Sequence, residues 1–236
     1  MDRLTYWFGS REGFLEFLIT ILCVFLCLTV HEFSHGFAAY LRGDKTAYNM
    51  GRLSLNPLAH IDPIGFLCLI LFGFGWAKPV MVNPTQFKRK TMKLDMVLTA
   101  LAGPLSNFIM AFLAILGTML IGRYANGFLL VGGSVQYYPS EVNKYMLLML
   151  DILKNFAYMN LGLGIFNLIP IPPLDGSKVL SAVLPTRIYF KLMQYERFGF
   201  IALIILINLP IFNNLLTLAL NGVLNGYIRI IAAILG

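Results

Sequence analysis

The chain has 236 residues, 58% of them hydrophobic and 12% charged, about half the charged share of an ordinary soluble domain. That balance excludes a soluble globular enzyme and points to an integral membrane protein. The formal charge of +7 calls for no nucleic-acid partner, because the basic residues lie in loops between apolar segments, where they set topology. Cys23, Cys27 and Cys68 all fall in apolar segments and form no paired framework, so a disulfide scaffold is not expected.

In chain order, the first predicted helix covers 14–41. Its balanced flank (Asp2, Arg3, Arg11, Glu12) and the lack of a small-residue cleavage site mark it as a retained membrane helix, not a removed signal. An uncharged run from Phe17 to Val30 leads directly into His31-Glu32-Phe33-Ser34-His35. Positions i and i+4 share a helix face, so His31 and His35 can reach one metal with Glu32 beside it, the signature of a zinc hydrolase. Ionisable groups in a membrane helix cost about 2.5 to 3.5 kcal/mol each, so three together require a metal or a cavity to satisfy them. Cys27 falls on the histidine stripe and is read as a small packing residue.

Leu41-Arg42-Gly43-Asp44 ends this helix with a glycine stop. Segment 42–93 is irregular, with Pro57, Pro63, Pro79 and Pro84 around an apolar stretch from Ile64 to Trp76. That stretch falls short of the roughly 20 residues a spanning helix needs, and basic residues flank it on both sides, so it reads as re-entrant. A second span is expected over 94–121, then a weakly charged outer loop (122–143, with Arg123 and Glu141), then a third span over 144–168. Pro170, Pro172 and Pro173 break the third span before Asp175-Gly176. The region 198–236 is cut by Pro210 and reads as one span plus a half-helix or as two short helices. Gly222 and Gly226 sit there at small-xxx-small spacing. Twelve of the eighteen basic residues fall on one side, which is then cytoplasmic. The expected fold is an all-α membrane protein. It is a polytopic helical bundle of about four to six membrane segments, with a re-entrant or short extended element between the first two core helices. Residues 1–236 read as a single integral-membrane metalloprotease domain.

A catalytic zinc takes three protein ligands and leaves a position for water. With His31 and His35 as two, the acidic residues on their side are Asp44, Asp62, Asp95, Asp175 and Glu196. Asp175 is the best third, because irregular backbone at membrane depth is tolerated where it is buried in protein or lines a cavity.

These residues, with Asn56-Pro57-Leu58-Ala59-His60-Ile61-Asp62-Pro63-Ile64-Gly65, Ala102-Gly103-Pro104-Leu105-Ser106-Asn107 and the stretch from Asn167 to Gly176, make the chain resemble the site-2 protease family of intramembrane zinc metalloproteases. The likeness is to a minimal branch, without room for the PDZ or CBS modules that many members carry. It implies one Zn2+ held by His31, His35 and Asp175, with Glu32 as general base and Asn167 near the metal to help bind the scissile carbonyl. It further implies hydrolysis of peptide bonds within or near transmembrane segments of membrane-protein substrates, in a prokaryotic cell membrane, with the active site toward the cytoplasm. A substrate helix must unwind before cleavage, because helical carbonyls are already hydrogen-bonded. The proline-bounded stretch Lys78 to Pro84 is either a plain loop or a strand onto which an unwound substrate can add.

Other polar residues have plainer readings. His60 and Asp62 read as turn residues, Asn107 as an interhelical hydrogen-bonding group, Asp151 and Lys154 as an i, i+3 pair, and Lys88-Arg89-Lys90 as a membrane anchor. Two other function classes stay open: a metal transporter, which needs a polar relay across the whole membrane, and a relative that binds membrane helices without cutting them. The sequence gives no sign of oligomeric state.

Overall fold

The computed structural model describes residues 3–72, 75–88, 90–124, 128–131, 134–137, 144–194 and 196–235. Arg89 and Glu141 lie outside them, as does the Glu196 side chain. A short helix α1 (Arg3–Gly9) precedes α2 (Arg11–Leu41), whose N-cap Ser10 accepts the Gly13 N–H. The expected glycine stop closes α2. Gly43 sits at φ +105°, its N–H bonds the Tyr40 carbonyl, and the Asp44 N–H bonds that of Ala39. This pairing satisfies two carbonyls that would otherwise end the helix without partners.

The irregular stretch contains α3 (Thr46–Asn49) and α4 (Pro63–Phe72). Asp62 Oδ1 accepts the N–H groups of Ile64 and Gly65 and so starts α4. Ile61 pairs antiparallel with Ala77, and the Lys78 N–H donates to the His60 carbonyl, so the chain leaves this excursion beside the point where it entered. Ten helical residues rise about 15 Å, half of a bilayer core, as a re-entrant element requires.

Beyond it come α5 (Met92–Tyr124), a hairpin of β1 (Phe128–Val131) and β2 (Ser134–Tyr137), α6 (Lys144–Asn167), α7 (Asp175–Val183), α8 (Thr186–Met193), α9 (Glu196–Ile207) and α10 (Pro210–Leu235). The hairpin replaces what the sequence suggested was plain loop. Phe128 pairs with Tyr137 and Val131 with Ser134. Of the two alternatives for the last region, one span plus a half-helix is realised, by α10 and the 12-residue α9.

Among the described residues, α2, α5 up to Arg123, and α10 are long and apolar enough to cross a membrane. Helix α6 forms where the third span was expected but does not meet that standard, because Asp151, Lys154, Asn155 and Asn160 dilute it. Asp151 and Lys154 form no ion pair among the described residues. An exposed pair of this kind gains too little to hold two long side chains in place. Helix α5 is the centre of the bundle, packed against α2, α6 and α7. Its Ala111, Ala114 and Ile115 meet Ala157 and Leu161 of α6 and Ile231 of α10, small side chains letting the helices approach closely.

Candidate metal centre

The two histidines of α2 meet a complementary stripe on α5. Thr99, Gly103 and Asn107 recur every fourth residue and so share one face. The Thr99 carbonyl lies 2.7 Å from His35 Nδ1, and Asn107 Oδ1 lies 2.6 Å from His31 Nδ1. Between them Gly103 leaves room for the rings, which stand perpendicular at 88° with centroids 4.6 Å apart. A Cβ at Gly103 would fall 2.7 Å from His31 Cε1 and 2.6 Å from His35 Cε1.

The third group arrives from the proline break. Gly176 packs its Cα against the Leu168 and Ile169 carbonyls, where a Cβ would not fit, and this places Asp175 at the first turn of α7 under the histidines. Asp175 Oδ2 lies 3.1 Å from His31 Nε2 and 2.9 Å from His35 Nε2, and the two Nε2 atoms are 3.1 Å apart. All three side chains are buried.

The chemistry of this donor set fits a cation. The Thr99 carbonyl can only accept, and Asn107 Oδ1 can only accept, so both Nδ1 atoms carry protons and both Nε2 atoms present lone pairs. Two lone pairs and a carboxylate oxygen facing one point repel each other unless a positive charge lies among them. A tetrahedral zinc with bonds of 2.0 to 2.1 Å separates its ligands by about 3.3 Å, within a few tenths of the observed spacing. Among the described residues this is the cluster whose ligand atoms converge closely enough to hold a metal.

Glu32 borders the same chamber, a cavity of about 460 Å³ that also takes in Val80, Asn167 and Lys178. Its Oε2 accepts the Val80 N–H at 2.8 Å, which draws the stretch from Lys78 to Pro84 across the site. Asp44, fully buried, ties down the far end of that stretch through the Asn83 N–H at 2.6 Å and accepts the Thr46 N–H at 2.9 Å. Asn167 lines the chamber while its Nδ2 donates to the Leu163 carbonyl at 3.0 Å.

Lys178, one turn beyond Asp175, donates to Asp175 Oδ1 at 2.9 Å. The two carboxylate oxygens are thereby divided, Oδ1 to the ammonium and Oδ2 to the histidines. Burial by itself would raise the Asp175 pKa. The Lys178 ammonium on Oδ1 opposes this and favours the charged carboxylate. Lys178 is itself about half exposed, and the adjacent carboxylate favours its charged form.

The remaining sequence candidates lie elsewhere. His60 Nε2 donates to the Ser54 carbonyl at 2.8 Å and Asp62 caps α4, both as turn residues. Asp95 pairs with Arg42 where the C-terminal end of α2 meets the N-terminal end of α5, and it accepts from Thr91. Cys27 is no ligand, yet it does more than pack, since its Sγ accepts from Asn160 Nδ2 at 2.9 Å. Sequence reasoning counted Lys178 as a topology charge and passed over Asn160. The available signals were an acid and base at i, i+3 opening a helix and an amide inside an apolar one.

The model of peptidase family M50 matches residues 19–209, which include both histidines, Glu32 and Asp175. The chain belongs to peptidase family M50. A Bacillus subtilis (strain 168) protein bearing the name zinc metalloprotease YwhC is 34% identical over 99% of this chain and 98% of its own length. Proteins bearing the name zinc metalloprotease Rip2 from Mycolicibacterium smegmatis and Mycobacterium tuberculosis (strain H37Rv) are 25% and 26% identical, each over 84% of this chain and 69% of their own. No solved structure matches it. As an M50 member the chain is an intramembrane zinc metalloprotease, and its substrates are membrane proteins met in the bilayer. The transporter and non-cutting alternatives are not favoured.

Proposed function

We propose that residues 1–236 act as one catalytic domain in which His31, His35 and Asp175 hold the zinc, Glu32 moves the proton, and Asn167 helps place the scissile carbonyl. The observation that carries this is the meeting of three buried acceptor atoms within 3.1 Å of one another, with Glu32 in the same chamber. Zinc, when bound, supplies a Lewis acid that makes water acidic near neutral pH and draws charge from a carbonyl. Glu32, a carboxylate with one oxygen on the Val80 N–H and the other open, takes a proton from water and returns it to the leaving amine. Asn167 reaches the carbonyl by releasing its bond to Leu163, a neutral hydrogen bond of modest strength.

The substrate is a transmembrane segment that unwinds and lies along Val80 to Val82. Pro79 and Pro84 bound that stretch, and Val80, Met81 and Val82 line the chamber. Cleavage falls near the cytoplasmic end of the segment, since His31 and His35 sit in the last third of α2 and the basic loops lie beyond it.

Purified protein should carry one zinc per chain, cut a model membrane-spanning substrate, and lose cleavage while keeping zinc in Glu32→Gln. Mass spectrometry of the fragments locates the cut. Undiminished cleavage by Glu32→Gln, or a cut near the outer end, would overturn the assignment.

A further inference from the structure

We infer that Asn160 of α6 is a positioning residue for the metal centre, fixing through Asn107 which nitrogen of His31 carries the proton. The inference rests on His31 being a zinc ligand.

Asn107 and Asn160 are both fully buried, on α5 and α6, and their amides are joined at 2.8 Å from Asn107 Nδ2 to Asn160 Oδ1. An amide can turn over and exchange its oxygen and nitrogen, so its orientation depends on neighbours that cannot turn. One such neighbour anchors this chain of bonds. The Phe156 carbonyl, 2.8 Å from Asn160 Nδ2, can only accept. It therefore holds the Asn160 nitrogen toward itself and toward Cys27 Sγ, leaving Oδ1 to face Asn107. An oxygen there requires the Asn107 nitrogen opposite it, and that nitrogen also reaches the Cys27 carbonyl at 3.4 Å. Asn107 Oδ1 is then left to face His31 Nδ1 at 2.6 Å, which places the proton on Nδ1 and the lone pair on Nε2, toward Asp175.

Without the Asn160 oxygen, Asn107 is held in this orientation only by the long 3.4 Å bond to the Cys27 carbonyl, and it can turn over. Its nitrogen would then donate to His31 Nδ1, moving the ring proton to Nε2, and a protonated Nε2 cannot bind a cation. Groups that orient a ligand histidine in this way typically change metal affinity by about 10- to 100-fold. His35 is held differently, by a backbone carbonyl that cannot turn over, so the dependence on an amide pair is specific to His31.

The test measures zinc affinity of the full chain by competition with a chelating indicator, with thermal unfolding monitored in parallel. Asn160→Leu should weaken zinc binding by about 10- to 100-fold. Asn107→Asp added to Asn160→Leu should restore most of it, because a carboxylate presents an oxygen to His31 whichever way it turns. A packing role for Asn160 predicts no such rescue, so absence of rescue, or wild-type affinity in Asn160→Leu, overturns the inference. If Asn160→Leu does not fold, Asn160→Ala removes the same acceptor without adding bulk and gives the same comparison. His31→Ala separates the two levels: if it binds zinc as tightly as wild type, the ligand assignment itself fails.

Discussion

Gly103→Ala tests the fit between α2 and α5 most directly. The added methyl would lie 2.6 Å from His35 Cε1 and 2.7 Å from His31 Cε1, and closer still to His35 Nε2. Reaching 3.4 Å, the lower edge of ordinary contact, requires about 1 Å of relative movement between the rings and α5. Metal ligands tolerate displacements of about 0.2 Å, and the Nδ1 bonds to Thr99 and Asn107 oppose rotation of the rings away from the methyl. The expected result is zinc affinity lower by at least about 100-fold, about 2.7 kcal/mol, and loss of cleavage. Chelator competition measures the affinity, and a thermal melt of the zinc-free protein separates site damage from general unfolding. Zinc affinity within about threefold of wild type would refute the packing account, because the histidines would then have room that the geometry denies them.

Two further outcomes follow from the site. Lys178→Met should weaken zinc binding by about tenfold by freeing Asp175 Oδ1 to compete with Oδ2, and Lys178→Arg should keep most of it; equal affinities in all three proteins would remove Lys178 from the site. Asp44→Ala leaves the Thr46 and Asn83 N–H groups without their acceptor, at about 1 to 3 kcal/mol for a buried donor. Hydrogen exchange should accelerate over residues 78–84 and kcat/KM should fall with zinc content unchanged, whereas unaltered exchange would show that Asp44 does not anchor the stretch.

The local spacing of His31, Glu32 and His35 was legible because 3.6 residues per turn is a property of the helix alone, and an uncharged apolar run makes the helix certain. The prolines around 170 and Gly43 were legible for the same reason: a missing N–H and a positive φ act on the residues beside them. Asp175 could be ranked first by such local reasoning, although 140 residues separate it from His35.

The partners of each ring belong to the tertiary structure. Thr99, Gly103 and Asn107 become a cradle when α5 crosses α2 in one register, and nothing in their own neighbourhood distinguishes Asn107 from an ordinary interhelical amide. Asn160 acquires its meaning from a carbonyl on its own helix and a residue on another. The hold of Glu32 on Val80 and of Asp44 on Asn83 depends on a loop folding back over the helix that precedes it. The residue types and periods along the chain determine which helices form and which side chains could bind a metal. Which oxygen faces which nitrogen is decided by contacts between segments far apart in sequence, where directional hydrogen bonds select among orientations that composition and spacing leave equal.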